Sequence, residues 1–424
     1  MHSEPMHSEP MPPDPKLLDP KDGASMSPHA AHAPHPTGSA SGTAPAPQPE
    51  VLVQPDVLVQ PDVLVRREGR DGRLGRLTLN RPRAINALTG TMVDLLDAAL
   101  RDWADDPTVT AVVIDGAGER GLCAGGDIRA IREAVLAGTP ERALAFWADE
   151  YRLNARISRF PKPYIAIMDG IVMGGGIGVS AHGGVRVVTE RSVLSMPEVG
   201  IGFIPDVGGT WLLSHAPGEL GTHLALTAAR IGAADAITAG LADHYLPADR
   251  LPDLLDTLRR APDPAAAIAA FDFAAHTPPP GRLTADRAWI DELYRGDKVT
   301  EIVAALAASP VPAAGAAAAE IAGKSPTSLA VTLRALRTAR SMTSLEAALD
   351  QEYRLARATL ATADLVEGIR AAVVDKDRNP RWSPARLDDV DPADVDRFFA
   401  PVDVDLGLAA ALTAALAAAP DAGR

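Results

Sequence analysis

Two glycine-rich turns and two acids in apolar surroundings are the residues of this chain best suited to chemistry. In Gly170-Ile-Val-Met-Gly-Gly-Gly-Ile-Gly178 three consecutive glycines stand between apolar runs, so the backbone N–H groups have no side chains to shield them. A substrate oxygen can approach such donors directly. The stretch Gly118-Glu-Arg-Gly-Leu-Cys-Ala-Gly-Gly-Asp127 follows a strand ending at Ile114, and its Gly125-Gly126 pair precedes Asp127. Asp127 is placed to cap a helix starting at Ile128, and the N–H groups of a helix start attract anions. A second donor from the Gly174–Gly176 turn would complete an oxyanion hole. Taken singly, each cluster is also an ordinary tight turn; in successive strand-to-helix connections the two point to one site.

The acids lie in Ser195-Met-Pro-Glu-Val-Gly-Ile-Gly-Phe-Ile-Pro-Asp-Val-Gly-Gly209. Among Met196, Val199, Ile201 and Phe203, partial burial would raise the pKa of Glu198 and ready it for proton transfer. The alternative is a surface carboxylate. Asp206 precedes Gly208-Gly209 and the helix of Trp211-Leu-Leu, and reads equally as a helix N-cap or as a catalytic acid. Main-chain donors beside two acids suit acyl chemistry, in which an oxyanion is held while a carboxylate acts on carbon or water. Other chemistries find less support. Cys123 has no histidine near it in sequence and reads as a small buried thiol. His182 reads as a core or cap histidine. There is no G-x-S-x-G nucleophile elbow, no paired Cys/His metal spacing, and no Gly-Lys-Ser/Thr after the Gly174 turn to make a phosphate loop. His29, His32 and His35 read as solvated histidines of a flexible tail.

These residues need a scaffold, and 424 residues supply enough for two or three domains. Val63–Glu68 and Leu74–Leu79, joined by a Gly/Asp turn, predict a hairpin. Thr91 to Ala104 has helical spacing, with Met92, Leu95, Leu96 and Leu100 on one side. Thr108 to Ile114, Tyr164 to Met168 and Val185 to Thr189 predict strands, and Glu141 to Phe160 a helix stopped by Pro161 and Pro163. Alternating strands and helices imply an α/β layered core over 63–250. Beyond Gly232 the pattern turns helical, giving a helical region over 251–400 and an Ala-rich tail, 401–424, expected to fray. Residues 1–62 contain tandem copies of Met-His-Ser-Glu-Pro and of Val-Leu-Val-Gln-Pro-Asp around a Pro/Ala/Ser/Gly/His stretch, and predict a disordered arm.

A net charge of -14 and the lack of a basic stripe argue against a nucleic-acid binder. The most apolar run, Tyr164 to His182, contains Asp169 and several glycines and predicts a buried strand and turn, not a membrane span. No apolar signal region follows Met1, and the first arginine, Arg66, comes after acids that include Glu4, Glu9, Asp14, Asp19 and Asp22, unlike a mitochondrial transit peptide. With Cys123 the sole cysteine, a reducing, cytoplasmic location is expected.

The segments Leu79-Asn-Arg-Pro-Arg-Ala-Ile-Asn-Ala-Leu88, Cys123-Ala-Gly-Gly-Asp-Ile128, Gly170 to Gly178 and Met196 to Gly209 resemble the crotonase (enoyl-CoA hydratase/isomerase) superfamily. Within it, Ser325-Pro-Thr-Ser-Leu329, Glu352-Tyr-Arg354, Glu367-Gly-Ile-Arg-Ala371 and Asp375-Lys-Asp-Arg-Asn-Pro-Arg-Trp382 are similar to the 3-hydroxyisobutyryl-CoA hydrolases. The resemblance runs from about Val63 to Phe399. It implies a spiral of ββα units with a helical C-terminal region, and an oxyanion hole from the N–H groups of Gly126 and Gly175. Hydratases of the superfamily carry two glutamates. One falls at Glu198; the other would fall at Gly178, which has no carboxylate. The hydrolase pattern pairs Glu198 with Asp206, and Glu150 matches a further substrate-contacting glutamate. The resemblance thus implies hydrolysis of a short branched 3-hydroxyacyl-CoA in valine breakdown, with Glu198 as nucleophile or base. CoA enters as part of the substrate; no metal or other cofactor is implied, and assembly as a homo-oligomer is left open. The competing expectations are an enoyl-CoA hydratase or isomerase, and a non-catalytic CoA-binding or scaffold protein using the N-terminal arm.

Overall fold

The computed structural model describes residues 61–402 and 405–418. The expected disordered arm, 1–62, lies outside the described residues except for Pro61 and Asp62, and Asp62 O accepts from the Asn80 N–H at 2.7 Å. Folding starts with the expected hairpin, β1 (Val63–Glu68) and β2 (Leu74–Leu79), paired antiparallel with Val63 opposite Leu79. β3 (Ala111–Gly116) and β4 (Tyr164–Met168) extend the sheet in parallel, as do β6 (Val185–Val188) and β8 (His244–Tyr245), in the order β1-β2-β3-β4-β6-β8. β5 (Ile171–Met173) and β7 (Val193–Ser195) form a separate parallel pair.

The central strands are apolar on both faces, the mark of a sheet covered on both sides. Val112, Ile114, Tyr164, Ala166 and Met168 face the larger core, against α1 (Gly90–Asp105) and α3 (Glu141–Ser158). Ala111, Val113, Ile165 and Ile167 face a second layer that includes Leu251, Leu254 and Leu258. The Thr89 hydroxyl caps α1 by accepting from the Met92 amide, and α3 stops before Pro161, as expected. One boundary differs. The strand predicted from Thr108 begins at Ala111, because the Thr108 N–H donates to Asp106 Oδ1 at 2.8 Å and holds residues 106–108 in a turn.

α2 (Ile128–Leu136) precedes α3, and the short helices α4 (Gly175–Gly178) and α5 (Gly209–Ser214) follow the two motif turns. The C-terminal region is helical. α6 (Pro326–Ala339) packs on α5, α7 (Leu345–Thr359) on α3 and α5, and α8 (Ala363–Ile369) on α2. In the tail, Leu408–Ala418 is a helix whose first amides, Leu408 and Ala409, donate to the Asp350 carboxylate at 2.8 and 2.9 Å. The architecture is the expected α/β core with a helical C-terminal region. Among the described residues no helix is long and apolar enough to cross a membrane.

Candidate active site

The β5/β7 ribbon brings the motifs together. Its register sets Met173 beside Ser195, so the Gly174 turn and the Met196-Pro197-Glu198 turn leave the ribbon at the same end. The Cys123 loop joins the same edge: the Cys123 N–H donates to Ile171 O and the Met173 N–H to Cys123 O. Three loops therefore meet in one place, although they are far apart in sequence.

Gly126 and Gly175 are adjacent there. A Cβ built on Gly175 would fall 3.2 Å from the Gly126 nitrogen and 2.5 Å from Glu150 Oε1. Among the described residues neither amide is given a protein acceptor. Gly174 turns the chain at φ +48°, and a Cβ on it would lie 2.8 Å from Glu198 Oε1. Side chains at these positions would fill the space that a ligand atom needs to reach the amides. The loops line a cavity of about 250 Å³ together with Glu150, Glu198 and Asp206. Trp147 and Phe203 add an apolar wall, their rings stacked at 4.9 Å. Leu365, Ile369, Ala372 and Val373, from α8 and the turn after it, close the cavity from the C-terminal region. That roof is tied to α2: the Arg129 guanidinium donates to Val373 O and that of Arg132 to Val366 O.

All three acids are buried, and among the described residues none has a lysine or arginine partner. Burial first, and then the charge of Asp206, push the Glu198 carboxyl well above its usual range. The same two causes act on Glu150. Asp206 is pushed up to about 7 by burial, against the opposing pull of the Tyr151 hydroxyl, which donates to Asp206 Oδ2 at 2.8 Å. Three like charges so close cannot all ionise near neutrality, so the site titrates as a unit and holds protons that it can give up. Glu198 Oε2 and Glu150 Oε1 are buried without a hydrogen-bond partner among the described residues. Buried polar atoms are nearly always paired, so two orphaned oxygens facing one cavity call for a ligand. Among the described residues no group of His, Cys, Asp or Glu is arranged to hold a metal ion.

The two capping expectations need correction, whereas the readings of Glu198, Cys123 and His182 hold. Asp127 stands at the start of α2, but its side chain caps nothing; it pairs with Arg81 at 3.3 Å. Asp206 does not cap α5 either. Gly208 occupies that position, and the Asp206 carboxylate turns inward to Tyr151. Nor is Glu198 a surface carboxylate, being 5 % exposed. Cys123 is a buried thiol whose pKa burial pushes up to about 12. His182 is a core histidine whose Nε2 lies 2.7 Å from Val207 O. At Gly178 there is no room for a side chain: a Cβ would fall 2.7 Å from Val207 Cβ and 2.9 Å from Asn154 Nδ2. Sequence reasoning missed Tyr151. Its neighbour Glu150 and its place on an amphipathic helix were the only signals, and neither reveals a partner 55 residues away.

The match to known proteins is broad. Residues 74–399 fit the family model described as enoyl-CoA hydratase/isomerase. The chain is 38% identical over 340 residues to the mitochondrial 3-hydroxyisobutyryl-CoA hydrolase of Gallus gallus, covering 78% of this chain and 88% of that protein. It is 40% identical over 341 residues to that of Danio rerio, with the same shares. Among solved structures it is similar to a carnitinyl-CoA dehydratase from Mycobacterium thermoresistibile, with 54% identity, a TM-score of 0.77, and 82% and 98% of the two chains covered. It is also similar to an enoyl-CoA hydratase from Rhodobacter sphaeroides 2.4.1, with 45% identity, a TM-score of 0.75, and coverage of 80% and 98%. The chain belongs to the enoyl-CoA hydratase/isomerase family.

Proposed function

We propose that this chain hydrolyses the thioester of a short branched 3-hydroxyacyl-CoA, 3-hydroxyisobutyryl-CoA foremost, as a step of valine breakdown. The observation that carries the reading is the meeting of two unpaired main-chain donors with the buried Glu198 carboxyl in one small cavity. The thioester oxygen accepts from the Gly126 and Gly175 N–H groups, which stabilise the oxyanion as it forms. Glu198 then acts in one of two ways. It attacks the carbonyl carbon, the C–S bond breaks, and water hydrolyses the resulting mixed anhydride; or it takes a proton from water, whose oxygen attacks directly. In both, the thiolate leaving group is protonated and the products are the hydroxy acid and free CoA. Asp206, held by Tyr151, orients substrate or water and supports the proton transfers. The unpartnered Glu150 Oε1 meets the 3-hydroxyl. A cavity of about 250 Å³ favours a short acyl group. No cofactor apart from the CoA of the substrate enters this reading, and the single buried thiol suits a reducing, cytoplasmic setting.

A second reading, addition of water to an enoyl-CoA, is favoured by the names of the two solved relatives. It requires a second acid where this chain has Gly178, a position that Val207 and Asn154 leave no space to fill. A thiol-release assay across a panel of acyl-CoAs separates the two. The hydrolase reading expects CoA release, fastest with 3-hydroxyisobutyryl-CoA, and a fall of about 10²–10⁴ in turnover for Glu198→Gln. Consumption of crotonyl-CoA with no thiol release from any of the panel would refute it.

A further inference from the structure

Glu352 is a buried acid that the reaction scheme leaves without a task. It lies on α7, fully buried, more than 140 residues beyond the turn that it touches. Its Oε2 accepts from the Gly208 N–H at 2.7 Å, and its Oε1 accepts from the Thr210 N–H at 2.9 Å and the Thr210 hydroxyl at 2.5 Å. These donors flank the turn that follows Asp206, in which Val207 has φ 53° and Gly208 φ 79°. Left-handed backbone is an outlier for a β-branched residue, and such a conformation persists only where its surroundings hold it. The holding groups are identifiable. Glu352 takes the donors on the far side of Val207. On the near side, burial pushes the His182 ring down to about 4, which keeps it neutral, and its Nε2–H donates to Val207 O. The turn is closely packed, since a Cβ on Gly208 would fall 2.5 Å from His182 Cε1 and 2.7 Å from Leu345 Cδ1.

We propose that Glu352 is a positioning residue, which locks the left-handed Val207-Gly208 turn and thereby fixes the Asp206 carboxylate against Tyr151 inside the cavity. The C-terminal helical region thus sets the geometry of an acid carried by the α/β core. The proposal rests on the role given to Asp206 in thioester hydrolysis. A merely structural Glu352 would anchor α7 to α5 and move nothing in the cavity.

Glu352→Gln tests this. It keeps the shape but sets an amide N–H₂ against a donor. The expected result is a folded protein with kcat lower by on the order of 10- to 100-fold and KM changed little, since a displaced catalytic group costs turnover more than binding. The crystal structure of the variant is expected to show Asp206 moved out of hydrogen-bond reach of Tyr151. Thr210→Val, which removes one of the three donors, is expected to act in the same direction and to add little when combined with Glu352→Gln. Glu346→Gln, on the same helix but paired with Arg159 at 2.9 Å, is the control and keeps parental kcat. A folded Glu352→Gln with parental kcat and the 2.8 Å Tyr151–Asp206 bond intact overturns the proposal. If Glu352→Gln does not fold, Thr210→Val is judged by the same two readouts. If the parent releases no thiol from any acyl-CoA, hydrolysis fails as the reaction, and the Tyr151–Asp206 distance in the variant still decides the positioning role.

Discussion

Replacing Asp206 by asparagine is expected to remove activity and, at alkaline pH, to make the protein more stable than its parent. The carboxyl is pushed up to about 7 in the folded chain, against 3.8 for an ordinary aspartate. Between these values the folded state binds more protons than the unfolded state, so stability falls as pH rises through that window. Going from about pH 5 to about pH 9, roughly two pH units of that imbalance are crossed below the folded pKa, and each is worth about 1.4 kcal/mol. The parent therefore loses about 3 kcal/mol that an uncharged residue does not lose. Asparagine keeps an oxygen to accept from Tyr151, so the comparison isolates the charge. Glu150 and Glu198 titrate in both proteins, but in the variant they no longer feel Asp206, which shifts the difference in the same direction. The assay is urea unfolding of both proteins at the two ends of this range. The free-energy difference between them should move toward the variant by about 3 kcal/mol on going alkaline. A pH-independent difference, or one moving toward the parent, would refute the burial assigned to Asp206.

Two further perturbations probe the packing around the cavity. Gly178→Ala is expected to destabilise by about 1–3 kcal/mol in thermal melts, because overpacking against Val207 and Asn154 outweighs the helix-propensity gain of about 1 kcal/mol; for the same reason Gly178→Glu gives no crotonyl-CoA hydration. Equal stability of Gly178→Ala and the parent would show that the space is there after all. Cys123, with its thiol buried and pushed up to about 12, should stay unreactive to a thiol reagent in the native protein and react promptly in urea.

What could be foreseen from the sequence followed from local causes. β4 is a short apolar run before a glycine turn, and α3 ends where Pro161 and Pro163 forbid helix. The glycine turns read correctly because missing side chains are a local fact. A misreading at Asp127 and an undecided reading at Asp206 arose where a long-range partner decided. Asp127 and Asp206 both stand before helices, and propensity favours capping for each. Arg81 draws the first away, and Tyr151, on a helix 55 residues earlier, draws the second. The full burial of Glu198 depends on the ribbon register and on the roof from α8, neither of which periodicity encodes. Glu352 stood within a recognisable motif, yet its three donors lie more than 140 residues away, so its task was invisible without coordinates.

The roof also has a temporal consequence. Gly126, Gly175, Glu198 and Asp206 all leave the ribosome before Leu365 to Val373, which must arrive to enclose them. At roughly 5–20 residues per second, a growing polypeptide spends on the order of 10 s or more with its carboxyl groups made but uncovered. In that interval the cavity lacks the apolar side chains of Leu365, Ile369, Ala372 and Val373 on that side. The nascent chain thus completes the enclosure of its acids only when a segment from about the last seventh of its length has folded back over the earlier part.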